Sequence, residues 1–232
     1  VTPEALYRLG MLAAHQREYE AAVGYFRQAT QANPEFTDAY AAITWLQQSR
    51  AMHDIQARDY ESAMKKLGEA RTGARHTDPL DLRALTLRGY LSKTMAQIAG
   101  LRGNASERAT YYEEAGRFFN HVVGLAPDNA GAHNGLGNVA YARGDLDGAI
   151  ASYRRAIELA PSYTAAYNDL AWAYEGKMDA EPDQREAWCR EALTAWRAAY
   201  RLAPNDPGFS ERNVITIGRR ILRLEQLCPS GA

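Results

Sequence analysis

The chain has 232 residues, 46% of them hydrophobic, and a formal net charge of -1. That balance excludes a global field able to gather nucleic acid or an anionic membrane, and it supplies ample apolar material for a continuous core. No run approaches the ~20 apolar residues that a membrane helix needs.

Ala, Arg, Leu and Glu are frequent and β-branched residues few, which favours helices throughout. The first opens at Thr2-Pro3, with threonine as N-cap and proline in the first turn. Leu6, Leu9, Gly10 and Ala13 give its packed face. A second helix carries Ala22, Phe26 and Ala29 and stops at Asn33-Pro34. From Phe36-Thr37 the pattern restarts, with Ala63, Leu67 and Ala70 in the second helix of the pair. Arg75 stands where a stopping proline is expected, and Pro79 follows. Residues 50–58 are surplus and lack Gly and Pro, which predicts two extra helical turns. The third pair opens at Pro79 with another long helix. After Arg102-Gly103, Asn104 and Glu107 form a candidate capping box, followed by Ala115, Phe119, Val122 and Pro127. The fourth pair breaks at Gly144-Asp145. In the fifth, residues 177–183 are charged and proline-broken and read as a loop before Ala192, Trp196, Ala199 and Pro204. Val214, Ile217, Ile221 and Leu224 mark one last helix, surrounded by Arg212, Arg219, Arg220 and Arg223.

One ruler recurs. From Gly137, Ala149, Tyr153, Ala156 and Pro161 follow at steps of 12, 4, 3 and 5, and the same steps run from Gly10 through Ala22, Phe26 and Ala29 to Pro34. Pro127 to Pro161 is 34 residues. Small residues let two helices approach, and a ring fills the gap they leave. This pattern resembles the tetratricopeptide repeat. The resemblance implies an all-α, right-handed α-α superhelix, a solenoid of about five helix pairs plus a C-terminal capping helix. The whole chain, 1–232, is expected to be one solenoid domain. Its pairs fall at about 3–34, 37–75, 79–127, 130–161 and 164–204, with units 2, 3 and 5 enlarged and the cap at 208–227.

In this family the first helices line a concave groove. Inward places lie three before, one after and four after the small residue. Carried onto this sequence, the groove candidates are Tyr7, Met11, Trp45, Gln48, Asn134, Asn138, Tyr141, Asn168, Trp172 and Glu175, with Ser92 in the less regular third pair. Amides can bond the backbone of an extended peptide whatever its side chains, and aromatics beside them offer apolar pockets. The plainer reading is a solvated groove with its tryptophans packed on the inserted helices. A terminal-carboxylate clamp is disfavoured, because Asn134 takes the lysine place and Asp169 adds negative charge; Asn138 would fit it and Arg212 could help. The insertions at 50–58, 98–104 and 177–185 all fall between the helices of a pair and could form a lobe on one edge.

Chemistry has little footing. His15, His53, His76, His121 and His133 form no ligand motif, and Gly135-Leu136-Gly137 lies inside a helical pattern without a preceding strand. Cys189 and Cys228 lack metal-ligand spacing and read as small core residues, a disulfide or catalytic role being the lesser alternative. The arginines of the last helix read as a polar outer face rather than an RNA surface. No catalytic residue, cofactor or metal site is expected. The expected function is a non-catalytic scaffold or adaptor whose partner is a protein or peptide, held in the groove or on the inserted edge. The alternative is a regulatory or sensor module of a larger protein, and end-to-end self-association is a third reading. The chain starts at Val1 rather than methionine, which fits a fragment or processed form; a cytoplasmic location is favoured unless a leader was removed.

Overall fold

The computed structural model describes residues 1–75, 81–206 and 209–228, all helix and turn, in two units, Val1–His121 and Val122–Ala232. His76 and the expected start of the third pair at Pro79 lie outside the described residues.

The first unit holds α1 (Pro3–His15), α2 (Tyr19–Ala32), α3 (Thr37–Gln56), α4 (Tyr60–Ala74), α5 (Leu82–Leu101) and most of α6 (Ala105–Leu125). The N–H of Ala5 donates to Thr2 Oγ1 at 3.3 Å, as the Thr2-Pro3 start predicts. Leu6, Gly10 and Ala13 are buried, but Leu9 is exposed and leaves the expected packed face. Gly10 is where rings dictate residue type: a Cβ there would lie 2.5 Å from the Phe26 ring. Gly89 meets Phe119 in the same way, at 2.6 Å. That match sets the register of the third pair and corrects the expectation at Ser92, which is fully buried and donates to Glu114 at 3.1 Å. Counted from Gly89, the places three before, one after and four after fall on Thr86, Tyr90 and Lys93.

The surplus turns of α3 and α5 are helix, as expected. Each is anchored at its start: Ala51 and Ile98 join Leu67, Ala70, Leu91 and Met95 in one apolar cluster, while Met52, Arg58, Leu101 and Arg102 further along are exposed. Successive pairs share a polar clasp. Glu69 accepts from Arg27 at 2.6 Å and from Gln47, tying α2, α3 and α4. Forty-five residues on, Glu114 accepts from Arg71 and Ser92, each at 3.1 Å, tying α4, α5 and α6. At Asn104 the expected cap forms, the Glu107 N–H donating to its Oδ1 at 3.1 Å.

The second unit continues with α7 (Ala130–Ala142), α8 (Leu146–Leu159), α9 (Thr164–Ala180), a short 3₁₀ turn (Pro182–Gln184), α10 (Arg185–Leu202) and α11 (Glu211–Leu227). Asn129 and Asp145 cap α7 and α8 through the N–H groups of Ala132 and Gly148, both at 2.9 Å. Gly144, at φ 83°, makes the left-handed turn between them, a conformation that strains a residue with a Cβ. Tyr153, Tyr174, Trp196, Ile217 and Leu224 are the large buried side chains of the core. The α11 start differs from expectation: Ser210 and Asn213 form a reciprocal capping box, so the helix begins at Glu211, three residues after the expected 208.

Two expectations need correction here. The supposed loop at 177–183 begins as helix. Lys177 is 6% exposed, and its ammonium lies 2.6 Å from Asp147 and 2.5 Å from Glu181. The indole N–H of Trp188 donates to Glu181 at 2.9 Å, so this segment bolts α9 to α8 and α10. Buried cations need such partners, which a solvated loop would not supply. The cysteines, in turn, are disulfide-bonded to each other, Cys189 on α10 to Cys228 just beyond α11. Closing a loop of 39 residues stabilises the fold by about 3–4 kcal/mol in the chain-entropy model. Such bonds persist in oxidising compartments.

The bolt makes stability pH-dependent. Hydrogen bonds first from Lys177, then from Trp188, hold the Glu181 carboxyl below its ordinary value of 4.5. Its contribution is therefore complete above 4.5 and disappears as pH falls through the lower, folded value. Lys177 is raised above 10.5, chiefly by Asp147 and then Glu181, so its contribution is complete below 10.5 and is lost as pH climbs through the raised value. In thermal unfolding followed from acid to neutral pH, Glu181→Gln should unfold earlier than the unmodified protein near neutrality. The gap should narrow as pH falls below 4.5 and close once it passes below the lowered, folded value; a gap independent of pH would show that the ion pair is not its source.

Candidate binding face

On α7, Asn134, Asn138 and Tyr141 recur at spacings of four and three, so they share one side of the helix. On α9, Asn168, Trp172 and Glu175 do the same. Asn134 and Asn138 reach α9 through Asp169, and Tyr141 lines one cavity with Trp172 and Glu175, but the amides are not free. Asn134 Nδ2 and Asn138 Nδ2 both donate to Asp169 Oδ2 at 3.1 Å, and Asn168 Nδ2 donates to Asp169 Oδ1 at 3.2 Å. Asn138 also donates to the Asn134 carbonyl at 3.0 Å. Asp169, which the sequence presents as an unhelpful charge, is the centre of the network. A carboxylate can accept several donors at once, and it orients every amide around it.

Two turns along α9 the arrangement changes. Glu175 accepts from the Trp196 indole N–H at 2.8 Å and from Arg220 of α11 at 3.0 Å. The Arg220 guanidinium lies over the Trp172 ring, 4.0 Å from its centre, and Trp172 meets Trp196 edge-on at 5.6 Å. Arg220 is therefore no outward-facing arginine, contrary to expectation. Its place between Ile217 and Leu224, at steps of three and four, puts it on the packed stripe of α11, and that spacing is the signal in the sequence. Burial, then Glu175, raise the Tyr141 hydroxyl above its ordinary value; Arg220 opposes the rise and Asp169 adds to it.

Beside this cluster a cavity of about 240 Å3 is lined by Tyr141, Trp172, Glu175, Met178, Arg220 and Leu227, with Asp179, Arg185 and Arg223 also at its wall. Arg212 does not line it and is exposed at the start of α11. The first-unit candidates behave differently from one another. Tyr7 is half-buried against Phe26 and Phe36, at 5.6 and 5.5 Å, and serves the core. Gln48 is half-buried, Met11 is exposed and Trp45 is 63% exposed. Such an exposed indole is not packed on the inserted helices. Among the described residues no group of three or more His, Cys, Asp or Glu side chains could hold a metal ion, and no helix is long and apolar enough to cross a membrane.

Known proteins echo this architecture. A family model described as TPR repeat matches residues 137–177, and one described as tetratricopeptide repeat matches residues 3–36. A tetratricopeptide repeat domain-containing protein of Arabidopsis thaliana, PYG7, chloroplastic, is 35% identical over 107 residues. The match covers 43% of this chain and 35% of that protein, so it spans about a third of the length of the relative. Among solved structures, TTC0263, a thermophilic TPR protein of Thermus thermophilus, superposes with a TM-score of 0.58 at 21% identity, over 97% of this chain and 100% of that one. The MamA protein does so with a TM-score of 0.56 at 17% identity, over 84% and 92%. These likenesses show the fold.

Proposed function

Because the chain is a tetratricopeptide repeat protein, we propose that it works as a non-catalytic scaffold that holds a peptide segment of a partner on the α7–α9 face. Repeat proteins of this kind are in general interaction modules: stacked helix pairs present extended surfaces on a rigid frame. The observation that carries the reading is the arrangement on that face. Oriented amides, an aromatic ring and two fixed carboxylates stand next to an open cavity, on helices rather than on a loop. Pre-organised side chains lose little entropy on binding, which favours such a surface over a mobile one. Within the segment at 177–185, a candidate binding edge by sequence, Lys177 and Glu181 tie α9 to α8 and α10, so deleting the segment should destabilise the second unit as well as any binding there.

Affinity capture from the native lysate tests this reading, with the protein run beside its Asn138→Ala, Trp172→Ala double variant. A partner held by the first and lost by the second, at equal helicity, is the expected result. Retention by the variant would move the site off this face.

A further inference from the structure

Asp169 and Glu175 lie six residues apart on α9, about 9 Å along its axis. The chain itself demonstrates what the second of them binds. Glu175 holds the Arg220 guanidinium at 3.0 Å while the Trp172 ring lies beneath it at 4.0 Å, and the Trp196 indole steadies the carboxylate. A carboxylate at the edge of a guanidinium and an aromatic face below it together make an arginine site. Asp169 has the acceptor and lacks the cation. Its three contacts are neutral amides, and among the described residues no Lys, Arg or His forms an ion pair with it.

We propose that the α7–α9 face recognises a basic peptide segment. An arginine or lysine side chain docks on Asp169, and a second basic side chain competes with Arg220 for Trp172 and Glu175. The inference rests on the reading of this face as a peptide site and names the chemistry of its occupant. Two or three residues of extended chain span about 7–10 Å, so cations at such a spacing reach both carboxylates at once. Arg220 is then a resident competitor: it fills the second subsite in the free protein and is displaced when the ligand enters. The cavity wall at Arg185 and Arg223 favours the opposite charge, and it lies beside Asp179, which offsets part of it.

Fluorescence anisotropy with two short labelled peptides, one alternating arginine and alanine and one alternating glutamate and alanine, tests this at low ionic strength. The arginine peptide should bind and the glutamate peptide should not. Asp169→Asn should weaken binding about tenfold, whereas Asp183→Asn, an exposed acid off the face, should leave it unchanged. Arg220→Ala should strengthen binding several-fold, a gain that a merely structural role would not produce and that holds the test open if the Asp169 variant unfolds. Binding of the glutamate peptide in a Trp172-dependent way would overturn the charge assignment and leave the face a peptide site. So would an arginine-peptide affinity indifferent to both Asp169 and Arg220. Failure of both peptides, with a captured partner that survives the Asn138→Ala, Trp172→Ala double variant, would overturn the underlying reading as well.

Discussion

Trp196→Ala should cost about 3–5 kcal/mol of folding stability, the usual range for removing a large buried ring. Trp196 is 2% exposed and packs with Ala171, Ala192 and Leu193 in the core of the second unit. Truncation leaves a cavity that helices held by so many neighbours cannot collapse to fill. It also removes the indole donor of Glu175, so the carboxylate under Arg220 loses one of its two fixed partners. A thermal midpoint lower by 10 °C or more, on the order expected for a unit of this size, is the readout. Trp45→Ala is the control: with that ring 63% exposed, its removal should change the midpoint little. Equal effects at the two sites would mean that Trp196 is not the buried anchor described above.

Gly137→Leu should destabilise by about 3 kcal/mol or more, at the upper end of what overpacking costs. A Cβ at this position would stand 2.4 Å from the Tyr153 ring, which is 1% exposed and has no space to turn. The helix-propensity gain of leaving glycine, about 1 kcal/mol, is too small to offset this. A diagnostic cycle combines it with Tyr153→Ala. If ring and side chain contest the same volume, the double variant should be more stable than the sum of the single losses predicts. Additive losses would show that α7 and α8 are not held apart by this contact.

The sequence by itself determined the helices, their pairing and most of the packed register. Those features are written in short steps: small residue to ring, ring to alanine, alanine to proline, each within a turn or two of helix or across one tight turn. Gly10 with Phe26 and Gly137 with Tyr153 are legible because close approach of two helices forbids a Cβ at one and demands bulk at the other. The third pair obscures the same rule only by length, since 30 residues rather than 16 separate Gly89 from Phe119, and the expectation at Ser92 fails as a result. The candidate residues of α7 and α9 follow from carrying that register forward.

What those residues do was decided by the tertiary structure. Asp169 gathers amides from 35 and 31 residues away, and Arg220 reaches Glu175 across 45. No periodicity records such pairings, because a polar side chain's partner depends on which helices pack together and not on its own neighbours in sequence. Lys177 reads as a loop residue by charge and as a bolt once Asp147, Glu181 and Trp188 surround it. Cys189 and Cys228, unremarkable 39 residues apart, become a covalent tie only because α11 folds back along α10 and brings their Cα atoms to 6.4 Å. Local patterns specify the helices because backbone hydrogen bonds and burial act over a few residues. The charges and the sulfurs take their roles from the packing that follows.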